Sequence, residues 1–237
     1  MINSNRKTFC LEIRGDFACF TRPELKVERV SYDVPTPSAL RNIFSAIFWK
    51  PSMRWHIRRI EVLHPINRTS IKRNEVGSKM GKNPIYADDP KNRQQRTSYI
   101  LRDVAYRVFA DLEFIPLENR PKWLQQECKD SAAETPMKYF EMFERRASKG
   151  QCFMQPYLGC REYSCSFELL PQQPEGHGIE ETRDLGIMLY DLDYIYESPT
   201  NPKEKKKEKS PNPLFFDAKM EHGVIVVPDY DSEEVLR

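Results

Sequence analysis

The order of periodic segments in this 237-residue chain predicts an α+β fold with an antiparallel sheet, its first half suiting a ferredoxin-like βαββαβ unit. Three observations carry that expectation. Apolar–polar alternation marks strands within residues 8–20, 53–66 and 99–115. Two segments with helical spacing and good caps interrupt the strands, and a run of strand-like segments follows the second. The expected division is a ferredoxin-like domain over 1–150 and a small β-rich part over 151–237. With 39% hydrophobic and 30% charged residues the chain is of the globular class and long enough to bury a core.

The first segment, TFCLEIRGDFACF, alternates and then breaks at Gly15-Asp16, which predicts a strand with a turn or bulge. An extended, proline-bounded stretch leads to TPSALRNIFSAIFWKP. There Thr36 and Ser38 offer caps, and Leu40, Ile43, Phe44 and Ile47 recur at helical spacing, so a helix is expected from Pro37 to Trp49. MRWHIRRIEVLHPI reads as a strand. Residues 67–98 are polar and basic, with little apolar periodicity, and predict a long loop or ragged hairpin arm. YILRDVAYRVFADLEFI is a long strand, and residues 116–134 a polar connection with a short helix around Trp123 and Leu124. TPMKYFEMFERRASKG has Thr135 as cap, Pro136 in its first turn and Gly150 at its end, with Phe140, Phe143 and Ala147 as one apolar stripe. QCFMQPYLGCREYSCSFELL and DLGIMLYDLDYIYE read as strands, residues 198–213 as a charged loop, and LFFDAKMEHGVIVVP as a hairpin.

Composition excludes several classes. The N-terminus has no apolar signal core and no segment approaches the ~18–20 apolar residues of a membrane span, so a cytoplasmic protein is expected. Six cysteines without CxxC pairs predict reduced thiols. No histidine lies near Cys160 and Cys165 to complete a zinc set, and no metal or cofactor is expected. On a strand their odd spacing would put those two cysteines on opposite faces. The four histidines (His56, His64, His177, His222) read as structural or incidental, and Asp88-Asp89 and Asp191/Asp193 as turn and surface acids. Nucleotide-binding and hydrolase motifs such as GxxxxGK[ST], GxSxG, HExxH and GxGxxG are absent from the sequence. The net charge of +2 conceals a block over residues 50–107 with fourteen Lys or Arg against five acids. A solvated surface is the bland account of such a run. Its length and single sign point instead to a polyanion, nucleic acid above all.

The 135–150 helix is the place where chemistry could live. Its first-turn amides and dipole favour an anion, and Lys138 and Tyr139 stand at that end. In RNA the 2′-OH can attack the neighbouring phosphate, given a base, an acid for the leaving oxygen and a cation for the phosphorane. Lys138 could supply the charge and Tyr139 a proton. Otherwise Tyr139 packs its ring and Lys138 is merely solvated.

The stretches GDFACFTRPELKVERVSYDVPTPSALRNIFSAIFWKP, RNEV, NRQQR, RRASKGQCFMQPYLGCREYSCSFELL, RDLGIMLYDLDY and PLFFDAKMEHGVI decide between these, since together they resemble the subtype I-C form of the fifth CRISPR-associated (Cas) protein family over about residues 8–228. The resemblance implies a ferredoxin-like (RRM-like) N-terminal domain with a smaller β-rich C-terminal part. It also implies an endoribonuclease that cuts the repeat of precursor CRISPR RNA without metal, stays on the 5′ handle and joins the surveillance complex Cascade. Its partners would be the repeat RNA and the backbone and large subunits of Cascade. The family's catalytic cluster is a Tyr or His at the end of the first helix and a Lys-His pair opening the later one. Those positions fall on Phe48, Lys138 and Tyr139. Lys138 matches, whereas Phe48 can neither give nor take a proton, and Tyr139, with a reference pKa near ~10, is a poor base.

Two accounts follow: an active nuclease with Lys138 and Tyr139 in a rearranged site, aided by Arg145, Arg146 or Tyr157, or a 5′-handle-binding subunit with weakened catalysis. A general RNA- or DNA-binding domain is a third, disfavoured by the combined motifs. RNA contacts are expected at Lys50, Arg73, Arg93, Arg96, Arg145, Arg146 and Arg161.

Overall fold

In the computed structural model the described residues are 5–79, 81–86, 88–120, 134–171, 174, 176, 178–193 and 211–237. Strands β1 (Arg6–Ala18), β2 (Met53–Val62), β3 (Asn67–Val76), β4 (Arg93–Phe114) and β5 (Ser166–Leu170) alternate with helices α1 (Pro37–Ile47) and α2 (Pro136–Ala147). The main sheet runs β5-β1-β4-β2-β8, where β8 is Val224–Val226, and every pairing in it is antiparallel. Setting aside β3, the order β1-α1-β2-β4-α2-β5 with β5-β1-β4-β2 pairing is the ferredoxin-like arrangement the sequence predicts. Its last strand lies beyond residue 150, the expected boundary, so the unit reaches Leu170.

Both helices pack on the same face of the sheet, around one aromatic cluster. Phe143 of α2 lies 4.6 Å from Trp55 of β2 and 4.7 Å from Phe9 of β1, and Phe44 of α1 lies 4.9 Å from Trp55. Helix α1 starts where Thr36 accepts the Ala39 N–H and Pro37 presets φ. It stops at Ile47, two residues before the expected end, because Phe48 turns extended (φ −155°). The Phe48 carbonyl then accepts the Trp55 indole N–H at 3.1 Å, which pins the helix end to β2.

The arm is an ordered hairpin: β3 pairs with the first half of β4 from Asn67↔Arg102 to Val76↔Arg93. Strand β4 is 22 residues long, and its second half is the sheet's central strand. Residues 151–165, expected as strand, are instead a loop with a single isolated bridge, Tyr157↔Ser164. It approaches the chain just past β1 so closely at Gly159 (φ +83°) that a Cβ would run into the Cys19 carbonyl. Cys160 and Cys165 therefore share no strand.

A second sheet, β6-β7-β9 (Arg183–Asp193, Asn212–Met220, Val235–Leu236), supplies the β-rich C-terminal part. The expected final hairpin makes its tight turn at 221–224, but its two strands enter different sheets, β7 the small one and β8 the large. Cys128, the helix expected around Trp123, His177 and the charged loop up to residue 210 lie outside the described residues.

Candidate functional site

The end of α1 and the start of α2 meet at one corner, which brings together the three positions singled out by the resemblance. The Tyr139 ring lies 6.0 Å from Phe48 and 5.4 Å from Phe114 of β4. Tyr139 is 5% exposed and Phe48 1%, so both are core residues. The Tyr139 hydroxyl donates to Glu134 at 2.5 Å and accepts from Ser52 at 2.8 Å. Arg120, itself buried, pairs with the same Glu134 at 2.7 Å. Burial alone would raise the Glu134 carboxyl, but hydrogen bonds from Tyr139, Arg120 and Ser52 and the Arg120 charge hold it below its ordinary range. Burial, then the Glu134 carboxylate, push the Tyr139 phenol up, which keeps it protonated.

Lys138 is the exposed member of the corner. The amide cradle expected at this helix start is reduced: Pro136 has no N–H, and the Lys138 N–H goes to the Thr135 side chain at 3.4 Å. An anion here meets the Lys138 ammonium and the helix dipole more than backbone donors.

Beside the corner opens a cleft of about 710 Å³, lined by Trp49, Lys50, Arg146, Phe153, Met154 and Tyr157 with the outer face of α1. Arg146 donates to the Ile47 carbonyl at 3.3 Å and its guanidinium carbon lies 5.2 Å above the Phe48 ring. Phe48 thus belongs to both: its ring packs against Tyr139 in the corner and lines the cleft beside Arg146. Of the other expected RNA contacts, Arg145 is exposed on α2 and Arg161 in the 151–165 loop.

The arm divides its cations by strand alternation. Arg73 and Arg96 sit directly opposite each other on its half-buried face. Glu75 pairs with Arg73 at 3.2 Å and with Arg29 at 2.9 Å, and Arg73 also bonds Glu162 of the 151–165 loop. Arg96 donates to the Val27 carbonyl at 3.3 Å. These two arginines tie the arm to the body. Arg93 and Lys72 lie on the exposed face, and Lys79, Lys82 and Lys91 between the two strands are exposed as well, so these cations make the arm's outward charge.

Sequence reasoning did not find Ser52, Arg120 or Glu134, which come from separate segments and carry no motif. Nor did it find the His56–Glu113 pair (2.7 Å) on strands β2 and β4, or the contact of Cys160 with the Cys19 carbonyl at 3.7 Å. The Cys160 thiol is held low, to about 6, by a hydrogen bond from Cys19 and by the Arg29 and Arg73 charges. Among the described residues no three His, Cys, Asp or Glu gather as a metal set, and no helix is long and apolar enough to cross a membrane.

The chain is 42% identical to the CRISPR pre-crRNA endoribonuclease Cas5d of Mannheimia succiniciproducens, covering 96% of this chain and 97% of that protein. It is equally similar to the Cas5d of Thermus thermophilus, at 42% identity over 96% of this chain and 94% of that one. The crystal structure of a CRISPR-associated protein has the same fold, with a TM-score of 0.63 at 22% identity over 98% of each chain. A functionally uncharacterized protein from Streptococcus mutans reaches the same TM-score at 26% identity, over 99% of this chain and 100% of that one. Residues 8–228 match the family described as CRISPR-associated protein (Cas_Cas5), and the chain belongs to that family.

Proposed function

We propose that this chain is a CRISPR pre-crRNA endoribonuclease of the cytoplasm that cuts the repeat without metal and stays on the 5′ handle as a Cascade subunit. The observation that carries the proposal is the convergence of Phe48, Lys138 and Tyr139 at one corner, in a chain alike over nearly its whole length to two pre-crRNA endoribonucleases. In the reaction the 2′-oxygen bonds to phosphorus and the P–O5′ bond breaks, leaving a 2′,3′-cyclic phosphate and a 5′-hydroxyl. Lys138 offsets the charge that builds on the phosphorane oxygens. Tyr139 is the donor to the leaving oxygen, for which its hydroxyl must swing from Glu134. Protonated Tyr139 and proton-free Phe48 leave the base for the 2′-OH to be supplied from elsewhere, solvent or the RNA itself, so cutting is slow.

That same geometry favours a second reading, a handle-binding subunit whose catalysis has lapsed, because the Tyr139 hydroxyl is already committed inside the core. Incubation with cognate repeat RNA in EDTA separates the two, beside a copy carrying one 2′-deoxy at the cut site. Cutting of the first RNA alone, with a cyclic phosphate end, supports the nuclease. Tight binding with no cutting over hours supports the second reading. Co-purification with the backbone and large Cascade subunits tests the assembly role, and an isolated chain from cells expressing all of them would overturn it.

A further inference from the structure

The cleft beyond Phe48 has the marks of a base-binding site. Trp49, Phe153 and Met154 are 55%, 88% and 49% exposed, an apolar concentration that a soluble surface rarely leaves open without a partner. They are held in place by backbone. The Phe153 and Met154 N–H groups both donate to the Ala46 carbonyl, at 2.8 and 3.2 Å, and Arg146 takes the Ile47 carbonyl. The last two carbonyls of α1, which lack helical partners, are thus satisfied by the loop that presents the rings and by Arg146 of α2. The frame is fixed while the rings face out.

The charge in the cleft has one sign. Among the described residues its lining includes Lys50 and Arg146 and no Asp or Glu. Aromatic faces interleaved with cations, and no acid, suit an unpaired nucleotide, with the base stacked on a ring and its phosphate on Lys50 or Arg146. A hydrophobic peptide would use the rings but has no need of an acid-free rim. We propose that this cleft takes a nucleobase splayed out of single-stranded RNA, with Trp49 and Phe153 as the stacking faces. The proposal rests on the RNA-processing role above and adds where the strand is gripped. Lys138 and Arg146 are eight residues apart on α2, about 12 Å along its axis. The captured base is then a near neighbour of the scissile phosphate, and its grip sets where the strand is presented to Lys138.

The test uses the full chain and repeat RNA with 2-aminopurine placed in turn at each unpaired position. One position near the cut site should lose most of its fluorescence on binding. Phe153→Ala and Trp49→Ala should abolish that change and weaken binding about fivefold to a hundredfold. Both side chains are more than half exposed, so neither substitution threatens the fold. Wild-type binding with no position quenched would overturn the proposal. So would unchanged quenching and affinity in both variants, the outcome expected if a protein partner occupies the cleft. No binding of repeat RNA by the wild-type chain would instead overturn the RNA-processing role itself, and this proposal with it.

Discussion

Two regions that share Phe48 are built from the same end of α1, yet they differ in kind. The corner around Tyr139 is closed: its ring packs on two phenylalanines and its hydroxyl is bound within the Ser52, Glu134 and Arg120 network. The cleft around Trp49 and Phe153 is open, with apolar faces in water and cations at its rim. The corner's groups serve each other, whereas the cleft keeps Trp49, Lys50 and Phe153 exposed, with Arg146 anchored to the end of α1 at its side. Because Phe48 and Tyr139 are both packed into the core, the corner contributes stability, and substitutions test the chemistry proposed there and the binding proposed for the cleft. Lys138 is the exposed charge of the corner.

The largest effect expected is therefore at Lys138. Lys138→Ala should reduce repeat cutting by about 10²–10³-fold, the range for removing one charge-stabilising donor, while changing repeat affinity less than tenfold. Wild-type cutting rates in that variant would break the contrast, since the corner would then hold no chemistry. Tyr139→Phe comes next. The variant loses a buried hydrogen bond to a carboxylate and should unfold with about 1–3 kcal/mol less stability, measured by denaturant titration. An unchanged midpoint would mean that the hydroxyl is not part of the core. The pair Phe48→Tyr with Tyr139→His restores the family's proton-handling groups, and faster cutting by that protein would show that the corner still has room for them.

Helix α2 and its cap were legible because capping and helical spacing are local, and Thr135, Pro136, Phe140 and Phe143 all lie within nine residues. The fate of Tyr139 was not, because Ser52, which bonds its hydroxyl, and Arg120, which holds its acceptor Glu134, arrive from distant parts of the chain. The 151–165 loop alternates in sequence like a strand. Its backbone donors go instead to the Ala46 carbonyl and to its own turns, and a left-handed Gly159 fits it against the chain just past β1. The arm hid its pairing for the opposite reason. Its strands carry few apolar residues, so the period of two had no hydrophobic signal to reveal which arginines face inward.

The arm gives the next contrast in miniature. Arg93→Gln or Lys72→Gln should reduce the slope of log affinity against log salt by about one unit each. Arg73→Gln should leave that slope nearly unchanged and lower the melting temperature, since it breaks pairs to Glu75 and Glu162. Equal slopes for Arg73→Gln and Arg93→Gln would show that the inward arginine also reaches phosphate.

The smallest effect is in pH, and it belongs to the closed regions. Burial depresses His56 despite its hydrogen bond to Glu113, so the folded protein keeps it neutral where the unfolded chain takes up a proton. Glu113 is depressed as well: burial opposes this, but hydrogen bonds from Arg6 and His56 outweigh it. Glu134 is depressed in the same way. In all three the unfolded state binds its proton first, so each makes stability fall as pH falls. For His56 the loss begins below its ordinary value of 6.5, and for the two carboxyls below 4.5. The melting temperature should then decline in two stages from neutral pH, and His56→Gln should remove the upper stage. A single decline below 4.5 in the wild-type chain would show that His56 is as readily protonated in the folded protein as in the unfolded one. Phe153→Ala in the open cleft should leave both stages where they are, because no group that loses stability with acid lies in its lining.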